Sequence, residues 1–463
     1  MQLKKGQKVE LQITDFAFGG AGVGKMDGDL VIFVERVIPG DKVEVSLTRI
    51  KKNFCEARLE RIITPSPLRI KARCKHFGLC GGCSLQCMDY DEQLKWKEKI
   101  VRDSLERIGE IKNPPIAPII GSESPWFYRN KMEYSFGEGL KLGLHPAKSY
   151  KDVFNLEECF LESELSAQIA VAVREWAISR KIQPYDPRVN TGVLRNLMVR
   201  EGKNTSEIMV ILFTNGQDFP NQKDFAKLIG EKFPAVTSVY RTAVVIKKGH
   251  KTAIEEFHLS GKKTLMETLT VKQSDGKNAT LKFEILPQAF FQPNTKGAQI
   301  LYETALNFAG SEGTETIYDL FCGTGTIGMF AASRAEKVIG IELNASAVEN
   351  ARKNAEQNGI KNIAFLCGDI DKMLPELKGK ADIIITDPPR CGIFPKTLQK
   401  ILELRPAKWV YVSCNPTTLA RDLKEAITAG YKLKRVQPVD MFPHTYHVET
   451  VCELSIISMS LGL

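Results

Sequence analysis

The stretch Thr316-Ile317-Tyr318-Asp319-Leu320-Phe321-Cys322-Gly323-Thr324-Gly325-Thr326 determines the fold predicted for the last third of the chain. Its first six residues are mostly apolar or β-branched and predict a strand, and its glycines predict a tight turn that opens a helix at Ile327. A second strand, 337–342, ends in an acid and precedes an amphipathic helix from 345 to about 358. This is a βαβ unit of an α/β sheet, with a carboxylate placed to accept hydrogen bonds from ribose hydroxyls.

The glycine turn indicates the kind of cofactor. It contains only the first two glycines of the three that dinucleotide dehydrogenases carry, which favours a nucleotide-like cofactor without a pyrophosphate, namely S-adenosylmethionine. Asp369 closes a third strand near the expected adenine, and 381–386 predicts a fourth strand that ends in Asp387-Pro388-Pro389-Arg390. Enzymes that methylate exocyclic amines also use Asp-Pro-Pro, but with an aromatic residue where Arg390 stands. The target is therefore expected to be a ring carbon.

A cysteine and an acid supply the predicted chemistry. Residues 407–413 predict a buried strand, and Val412-Ser413-Cys414-Asn415-Pro416 places Cys414 at its carboxyl end, where open α/β sheets bind ligands. Taken alone, Cys414 could equally be a buried structural cysteine. His447-Val448-Glu449-Thr450 adds an acid, and a nucleophile and a base acting on one substrate favour covalent chemistry on a ring.

Composition limits the protein class. The 463 residues suffice for two or three domains, and 43% of them are hydrophobic, without an apolar run long enough to span a bilayer. The start lacks the apolar core of a secretion signal, which predicts a cytoplasmic protein. Net charge is +9, and residues 1–75 hold 15 lysines and arginines against 9 acids, which predicts a polyanionic partner.

Residues 1 to about 62 alternate apolar and polar side chains in short runs between glycines. The runs 9–13, 30–34 and 42–47 predict strands of a small β-barrel of the OB type, which binds nucleic acid. The stretch resembles a TRAM domain, an RNA-binding module, through Gly22-Val23-Gly24-Lys25, Phe33-Val34 and Pro39-Gly40-Asp41. A basic barrel that only provides solubility is the alternative.

A cysteine-rich loop follows the barrel. Cys74, Cys80 and Cys83 lie in a glycine-containing loop that can wrap a metal centre, with either Cys87 or Cys159 as a fourth ligand. Zinc and an iron–sulfur cluster both accept four thiolates, and the spacing does not choose between them. A helix is predicted over 91–112, and 126–290 predict mixed strands and helices.

Together these motifs resemble the RNA uracil-5-methyltransferases, specifically the branch that carries a TRAM domain and an iron–sulfur cluster and modifies 23S ribosomal RNA. The resemblance covers nearly the whole chain. It implies that Cys414 is the nucleophile and Glu449 the base. It implies that the cofactor is surrounded by Gln292, Phe321, Thr326, Glu342, Asp369 and Asp387. It also implies that a 4Fe-4S cluster is bound by Cys74, Cys80, Cys83 and Cys159, which favours Cys159 over Cys87 and iron over zinc.

The expected architecture is multidomain. It comprises a TRAM/OB barrel over 1–62, a central α+β domain with the cysteine loop over 63–285, and a Rossmann-like S-adenosylmethionine-dependent methyltransferase domain over 286–463. The expected activity is methylation of carbon 5 of a 23S ribosomal uridine by a cytoplasmic monomer. Transfer RNA is the alternative substrate, and a non-catalytic RNA-binding or ribosome-assembly factor is the alternative function. A radical S-adenosylmethionine enzyme is disfavoured because the cysteine spacing differs.

Overall fold

The computed structural model describes residues 3–26, 30–216, 218–246, 252–377 and 379–456. Three β-sheets and a separate hairpin organise these residues. A closed barrel comes first, a mixed seven-stranded sheet lies in the middle, and a second seven-stranded sheet with parallel strands at its centre comes last. The predicted multidomain architecture is thereby confirmed, although residues 457–463 of its last domain lie outside the described part.

The barrel has five strands: β1 (Lys8–Phe16), β2 (Gly22–Met26), β3 (Leu30–Val34), β4 (Lys42–Ile50) and β5 (Phe54–Thr64). They close in the order β1-β2-β3-β5-β4. Alternate side chains such as Leu11, Ile13, Val43 and Val45 point inward and are buried. The period-two pattern of the sequence therefore produces the predicted barrel, since one face of each strand fills its interior.

The cysteine loop leads into helix α1 (Tyr90–Arg107). Asp89 caps its first turn by accepting a hydrogen bond from the Asp91 amide. The helix is shorter than the predicted 91–112, because the amides of Gly109 and Ile111 turn back to carbonyls of the last helical turn and Glu110 adopts φ 55°. The prediction was wrong at this end because apolar spacing continued past the point where the backbone turns.

The central sheet contains β6 (Lys131–Gly137), β7 (Lys141–Leu144), β8 (Phe154–Asn155), β9 (Leu194–Glu201), β10 (Ile208–Asn215), β11 (Ser238–Val245) and β12 (Ala253–Gly261). Its order is β12-β11-β10-β9-β6-β7-β8. Helices α2 (Glu164–Ser179) and α3 (Gln222–Lys232) cover it through buried side chains such as Trp176 and Phe225. The hairpin β13 (Leu265–Lys272) and β14 (Asn278–Ile285) then leads to α4 (Thr295–Ala309) and shares a core with it.

The last sheet contains β15 (Thr316–Leu320), β16 (Lys337–Glu342), β17 (Ile363–Cys367), β18 (Ile383–Thr386), β19 (Lys408–Ser413), β20 (Tyr431–Val439) and β21 (Glu449–Ile456). Its helices are α5 (Thr326–Ala332), α6 (Ala345–Gln357), α7 (Ile370–Met373), α8 (Pro395–Leu404) and α9 (Pro416–Thr428). The strand order is β17-β16-β15-β18-β19-β21-β20. Six strands run in the same direction, and β21 inserts antiparallel between β19 and β20.

This topology determines where a ligand can bind. In open α/β sheets, ligands bind outside the carboxyl ends of the parallel strands. Because β21 is antiparallel, its first residue lies at this same edge. Within the described ranges, no helix is both long and apolar enough to cross a membrane.

Candidate active site

The glycine turn between β15 and α5 lies at the carboxyl edge of the last sheet. Phe321, Gly323 and Gly325 all adopt positive φ, at 63°, 54° and 76°. At Gly325 a Cβ atom would lie 2.4 Å from Cζ of Phe365, so the turn requires glycine there on both steric and conformational grounds. The tight turn brings backbone amides to the edge where a cofactor would approach.

Glu342, at the end of β16, holds the turn in place. Its Oε2 accepts a hydrogen bond from the Gly323 amide at 3.1 Å, and its Oε1 accepts one from the Asn344 amide at 2.8 Å. Each carboxylate oxygen keeps a further lone pair for a ligand hydroxyl. The acid therefore connects two strand ends and still offers acceptors to a ribose.

The other predicted cofactor residues differ in placement. Asp369 caps α7 beyond β17 by accepting from the Asp371 amide at 3.0 Å, and Asp387 directly follows β18. The carbonyl of Gln292, just before α4, accepts a hydrogen bond from the Asn130 side chain at 2.9 Å. Thr326, by contrast, is buried in the first turn of α5, beside Tyr302. The first three therefore lie at strand or helix ends, while Thr326 lies beneath the turn.

Cys414 and Glu449 come together through strand pairing. Ser413, the last residue of β19, is opposite Thr450 in the antiparallel ladder with β21. Cys414 follows Ser413 and Glu449 precedes Thr450, so both reach the carboxyl edge of β19. Asn415 begins α9 directly afterwards, with its side chain capping the Thr417 amide at 3.0 Å.

Burial dominates the electrostatics of this pair. It raises the pKa of Glu449 to about 8, with a further contribution from Asp387, whose own pKa burial raises to about 7. The pKa of Cys414 rises to about 12 through burial and the neighbouring carboxyls Glu449 and Asp387. Near neutral pH and without substrate, the thiol and the Glu449 carboxyl are therefore mostly protonated.

Arg390 is the cation that opposes these shifts. It lowers the pKa of both Cys414 and Glu449, although burial outweighs it. Its carbonyl accepts a hydrogen bond from the Asn415 side chain at 2.9 Å, and its guanidinium lies 3.3 Å from Nε2 of His447. The Pro-Pro turn is thus fastened to both the cysteine segment and the segment before Glu449.

The four cysteines of the predicted cluster line one cavity of about 310 Å³. Burial raises the pKa of Cys83 to about 12 and that of Cys159 to about 11, so neither is a thiolate without a metal. Cys87 is not among the lining residues; it is buried beside Arg69 in the core between the barrel and α1. Within the described residues, no three histidine, cysteine or acidic side chains converge closely enough to hold one metal ion.

Two family models match the chain. One, described as tRNA (Uracil-5-)-methyltransferase, matches residues 245–456, and the TRAM domain model matches residues 2–59. An uncharacterised RNA methyltransferase of Halalkalibacterium halodurans is 39% identical over 98% of this chain and 98% of that protein. The chain belongs to the uracil-5 RNA methyltransferase family.

Two further proteins are similar to this uracil-5 RNA methyltransferase over its length. An uncharacterised RNA methyltransferase of Bacteroides thetaiotaomicron is 39% identical over 94% of this chain and 99% of that protein. The solved structure of Pyrococcus abyssi tRNA (uracil-54, C5)-methyltransferase, in complex with S-adenosyl-L-homocysteine, superposes with a TM-score of 0.73 at 27% identity. It covers 96% of this chain and 100% of that one. The predicted resemblance to the uracil-5 methyltransferases, including the TRAM domain, is thereby confirmed.

Three further residues of this family member belong to the site, although the sequence pattern does not predict a role for them. Arg390 follows the prolines, and His447 lies in the segment before Glu449. Asp319 lies within β15, where burial, Asp387 and Glu342 raise its pKa to about 8. An acid inside a strand that is otherwise apolar was the available signal, since an uncompensated buried carboxyl is costly.

Proposed function

We propose that this protein transfers a methyl group from S-adenosylmethionine to carbon 5 of a uridine in RNA, through a covalent bond between Cys414 and carbon 6. The pairing of Ser413 with Thr450 is the observation that carries this proposal, because it brings a thiol and a buried acid to the edge that carries the glycine turn. Family membership supports the reaction class. The basic amino-terminal barrel supports an RNA partner, met in the cytoplasm.

S-adenosylmethionine, when bound, supplies an electrophilic methyl group. We assign its contacts to the edge residues: Glu342 to the ribose hydroxyls, Asp369 near the adenine, and Gln292, Phe321 and Asp387 around the remainder. Thr326 would act from beneath, by supporting the turn. The two acceptor oxygens of Glu342, held by backbone amides, support the ribose assignment.

Cys414 makes carbon 5 nucleophilic. Its sulfur forms a bond to carbon 6 of the uracil ring, and the electrons of the carbon 5–carbon 6 double bond move toward the carbonyl at carbon 4. The resulting enolate directs electron density to carbon 5, which then accepts the methyl group. The thiol proton must leave first, and the Asp387 carboxylate beside Cys414 is the candidate acceptor, which leaves Glu449 free to act as the base in the last step.

Glu449 completes the reaction. In its ionised form it takes the hydrogen of carbon 5 as a proton, the electrons re-form the double bond, and the carbon 6–sulfur bond breaks to release Cys414. A pKa of about 8 makes it a stronger base than an ordinary carboxylate, once it has lost its own proton. The target base must be turned out of its stack to reach the site, which favours a uridine in a loop.

We also propose that Cys74, Cys80, Cys83 and Cys159 bind a 4Fe-4S cluster. All four cysteines line one cavity, and a 4Fe-4S cluster takes one thiolate at each of its four irons. Binding must release the thiol protons, because burial keeps Cys83 and Cys159 neutral. The bound cluster would join the cysteine loop to the segment around Cys159.

Of the two RNA substrates, we propose 23S ribosomal RNA. The sequence resemblance to the ribosomal-RNA branch of the family supports this choice. The barrel and the cysteine loop do not by themselves separate the two substrates, because the similar transfer-RNA enzyme covers 96% of this chain. Transfer RNA is the second candidate, since the similar Pyrococcus abyssi enzyme acts on it.

The deciding experiment incubates the purified protein and labelled S-adenosylmethionine with unmodified 23S ribosomal RNA and, separately, with unmodified transfer RNA. Digestion and mapping then identify the product nucleoside. The expected result is 5-methyluridine at a loop position of 23S ribosomal RNA. Product in transfer RNA alone would retain the chemistry and change the substrate. RNA binding without methylation of either RNA would support the non-catalytic factor.

A further inference from the structure

The segment between β20 and β21, residues 440–448, leads directly into Glu449, and we refer to it as the base loop. Its contacts come largely from the cysteine loop and α1, hundreds of residues earlier in the chain. Glu449 is the first residue of β21 and is opposite Val439, the last residue of β20, so the base loop connects these two strand ends. Whatever fixes the base loop therefore also fixes the start of the strand that carries the base.

A fully buried ion pair lies at the beginning of the base loop. Nζ of Lys97 lies 2.7 Å from Oδ1 of Asp440, and neither side chain is exposed. The same ammonium donates to the carbonyl of Phe442 at 3.0 Å, and the hydroxyl of Tyr90 donates to Oδ2 of Asp440 at 3.0 Å. Burying such a pair incurs a desolvation penalty that apolar side chains would avoid, so its presence indicates a requirement for specific geometry.

A second set of contacts holds the loop at His444. Oε1 of Gln93, on the same face of α1, accepts from the His444 amide at 3.0 Å. The amides of Ser84 and Leu85 both donate to the His444 carbonyl, at 2.9 and 3.0 Å. His444 adopts φ 65°, and its ring stacks on Trp126 at 3.7 Å between centroids. A non-glycine residue is thus held in the left-handed region by contacts from three sides.

Helix α1 also packs against α9, the helix that follows Cys414. Its later residues Val101 and Leu105 pack in the same core as Leu419 and Ala420 of α9, the helix that follows Cys414. One rigid helix therefore supports both the nucleophile's helix and the base loop. In its first half, the polar side chains of Tyr90, Gln93 and Lys97 hydrogen-bond to the base loop.

We propose that Lys97 and Asp440 are positioning residues that set Glu449 for removal of the proton from carbon 5. The inference rests on the proposed function and adds that the pair acts on one step of it, the removal of the proton from carbon 5. Addition of Cys414 and methyl transfer require the β19 end and the cofactor site. Proton removal additionally requires Glu449 in place, so loosening the base loop slows the last step most.

The test uses the full-length protein with Asp440→Asn and Lys97→Met, separately and together. Single-turnover methyl transfer is timed alongside the lifetime of the methylated protein–RNA adduct on denaturing gels. We expect the adduct to persist at least about tenfold longer while methyl transfer stays within about threefold of wild type, given how strongly catalysis depends on sub-ångström placement. Lys95→Met is the matched control, because Lys95 lies on the same helix, is exposed, and forms an ion pair with Glu92 of that helix.

Equal slowing of methyl transfer and adduct breakdown, or no change in either, would overturn the proposal. If the pair variants fail to fold, Tyr90→Phe decides, because it removes only one of the contacts to Asp440 and should lengthen the adduct lifetime by a smaller factor. Failure of the proposed function itself looks different: the wild-type protein would then methylate no RNA and Glu449→Gln would trap no adduct.

Discussion

Ser413 and Thr450 face each other across the antiparallel ladder of β19 and β21. One step beyond this pair lie Cys414 and Glu449, which come from segments separated by α9 and β20. The arrangement depends on the reversed direction of β21, because a parallel strand at that position would begin at the opposite edge of the sheet. The chemistry therefore depends on the sheet's one reversed strand.

Replacing Cys414 with alanine should abolish methylation. We expect turnover to fall by at least about a thousandfold, because no other group can form the bond to carbon 6. Binding of S-adenosylmethionine, measured by calorimetry, should remain near wild type. Cys391→Ala is the control, since Cys391 is exposed and follows the same Pro-Pro turn; comparable losses in both variants would contradict the nucleophile assignment.

Replacing Glu449 with glutamine should separate methyl transfer from the removal of the proton on carbon 5. Methyl transfer should proceed once, and the RNA should then stay bound to the protein through denaturation, because no base removes the proton. Labelled methyl groups co-migrating with protein on a denaturing gel would show this. Glu453→Gln, on the same strand, should turn over normally, and full activity of Glu449→Gln without an adduct would exclude Glu449 as the base.

The pH dependence should follow the raised pKa of Glu449. A buried acid with a pKa of about 8 is protonated at pH 6.5 and becomes a base as the pH rises. We expect the rate of adduct breakdown to increase between about pH 6.5 and 9, with an apparent pKa near 8. Cofactor binding in the same buffers serves as the control, and a breakdown rate that is already maximal at pH 6 would contradict the assignment.

Glu342→Gln should weaken the cofactor site. The amide nitrogen of glutamine cannot accept a hydrogen bond. The substitution therefore disturbs the turn held at Gly323 and removes a hydrogen-bond acceptor for the ribose. Loss of such charged hydrogen bonds should raise the dissociation constant of S-adenosylmethionine by about tenfold or more. Glu349→Gln on the exposed face of α6, where Glu349 pairs only with Lys353, should bind normally.

Cys159→Ser and Cys87→Ser offer a matched test of the cluster. Only Cys159 lines the cavity, so its replacement should lower the iron bound after anaerobic purification and bleach the brown colour, while Cys87→Ser should retain both. Iron analysis and visible absorption are the measurements. The reverse result would move the fourth ligand to Cys87, and colourless wild-type protein with stoichiometric zinc would exclude the iron cluster.

The predictable parts of the site are those determined by local pattern. The glycine turn, the acid that ends β16 and the cysteine that follows β19 each stand at the end of an apolar run, so strand prediction also places them. The end of α1 was not predictable in this way. Its apolar spacing continues beyond Arg107, and only the turn around Gly109 and Glu110 ends it.

Other features depend on contacts that are distant in sequence. Nothing in the residues around Lys97 indicates that it pairs with Asp440. The apolar patterns of β20 and β21 likewise do not show that β21 inserts between β19 and β20. The same holds for the cysteines: Cys87 is near the loop in sequence but buried in another core, whereas distant Cys159 reaches the cavity. Such pairings come from packing over the whole fold.

The insertion of β21 has a consequence for protein synthesis. Because β21 completes the sheet between two strands made earlier, β19 and β20 cannot adopt their final spacing until the chain through Ile456 has emerged from the ribosome. The barrel at residues 8–64 can fold long before that, since domains tend to fold as they emerge. A nascent chain should thus acquire its RNA-binding module first and its catalytic competence only after Ile456 has emerged.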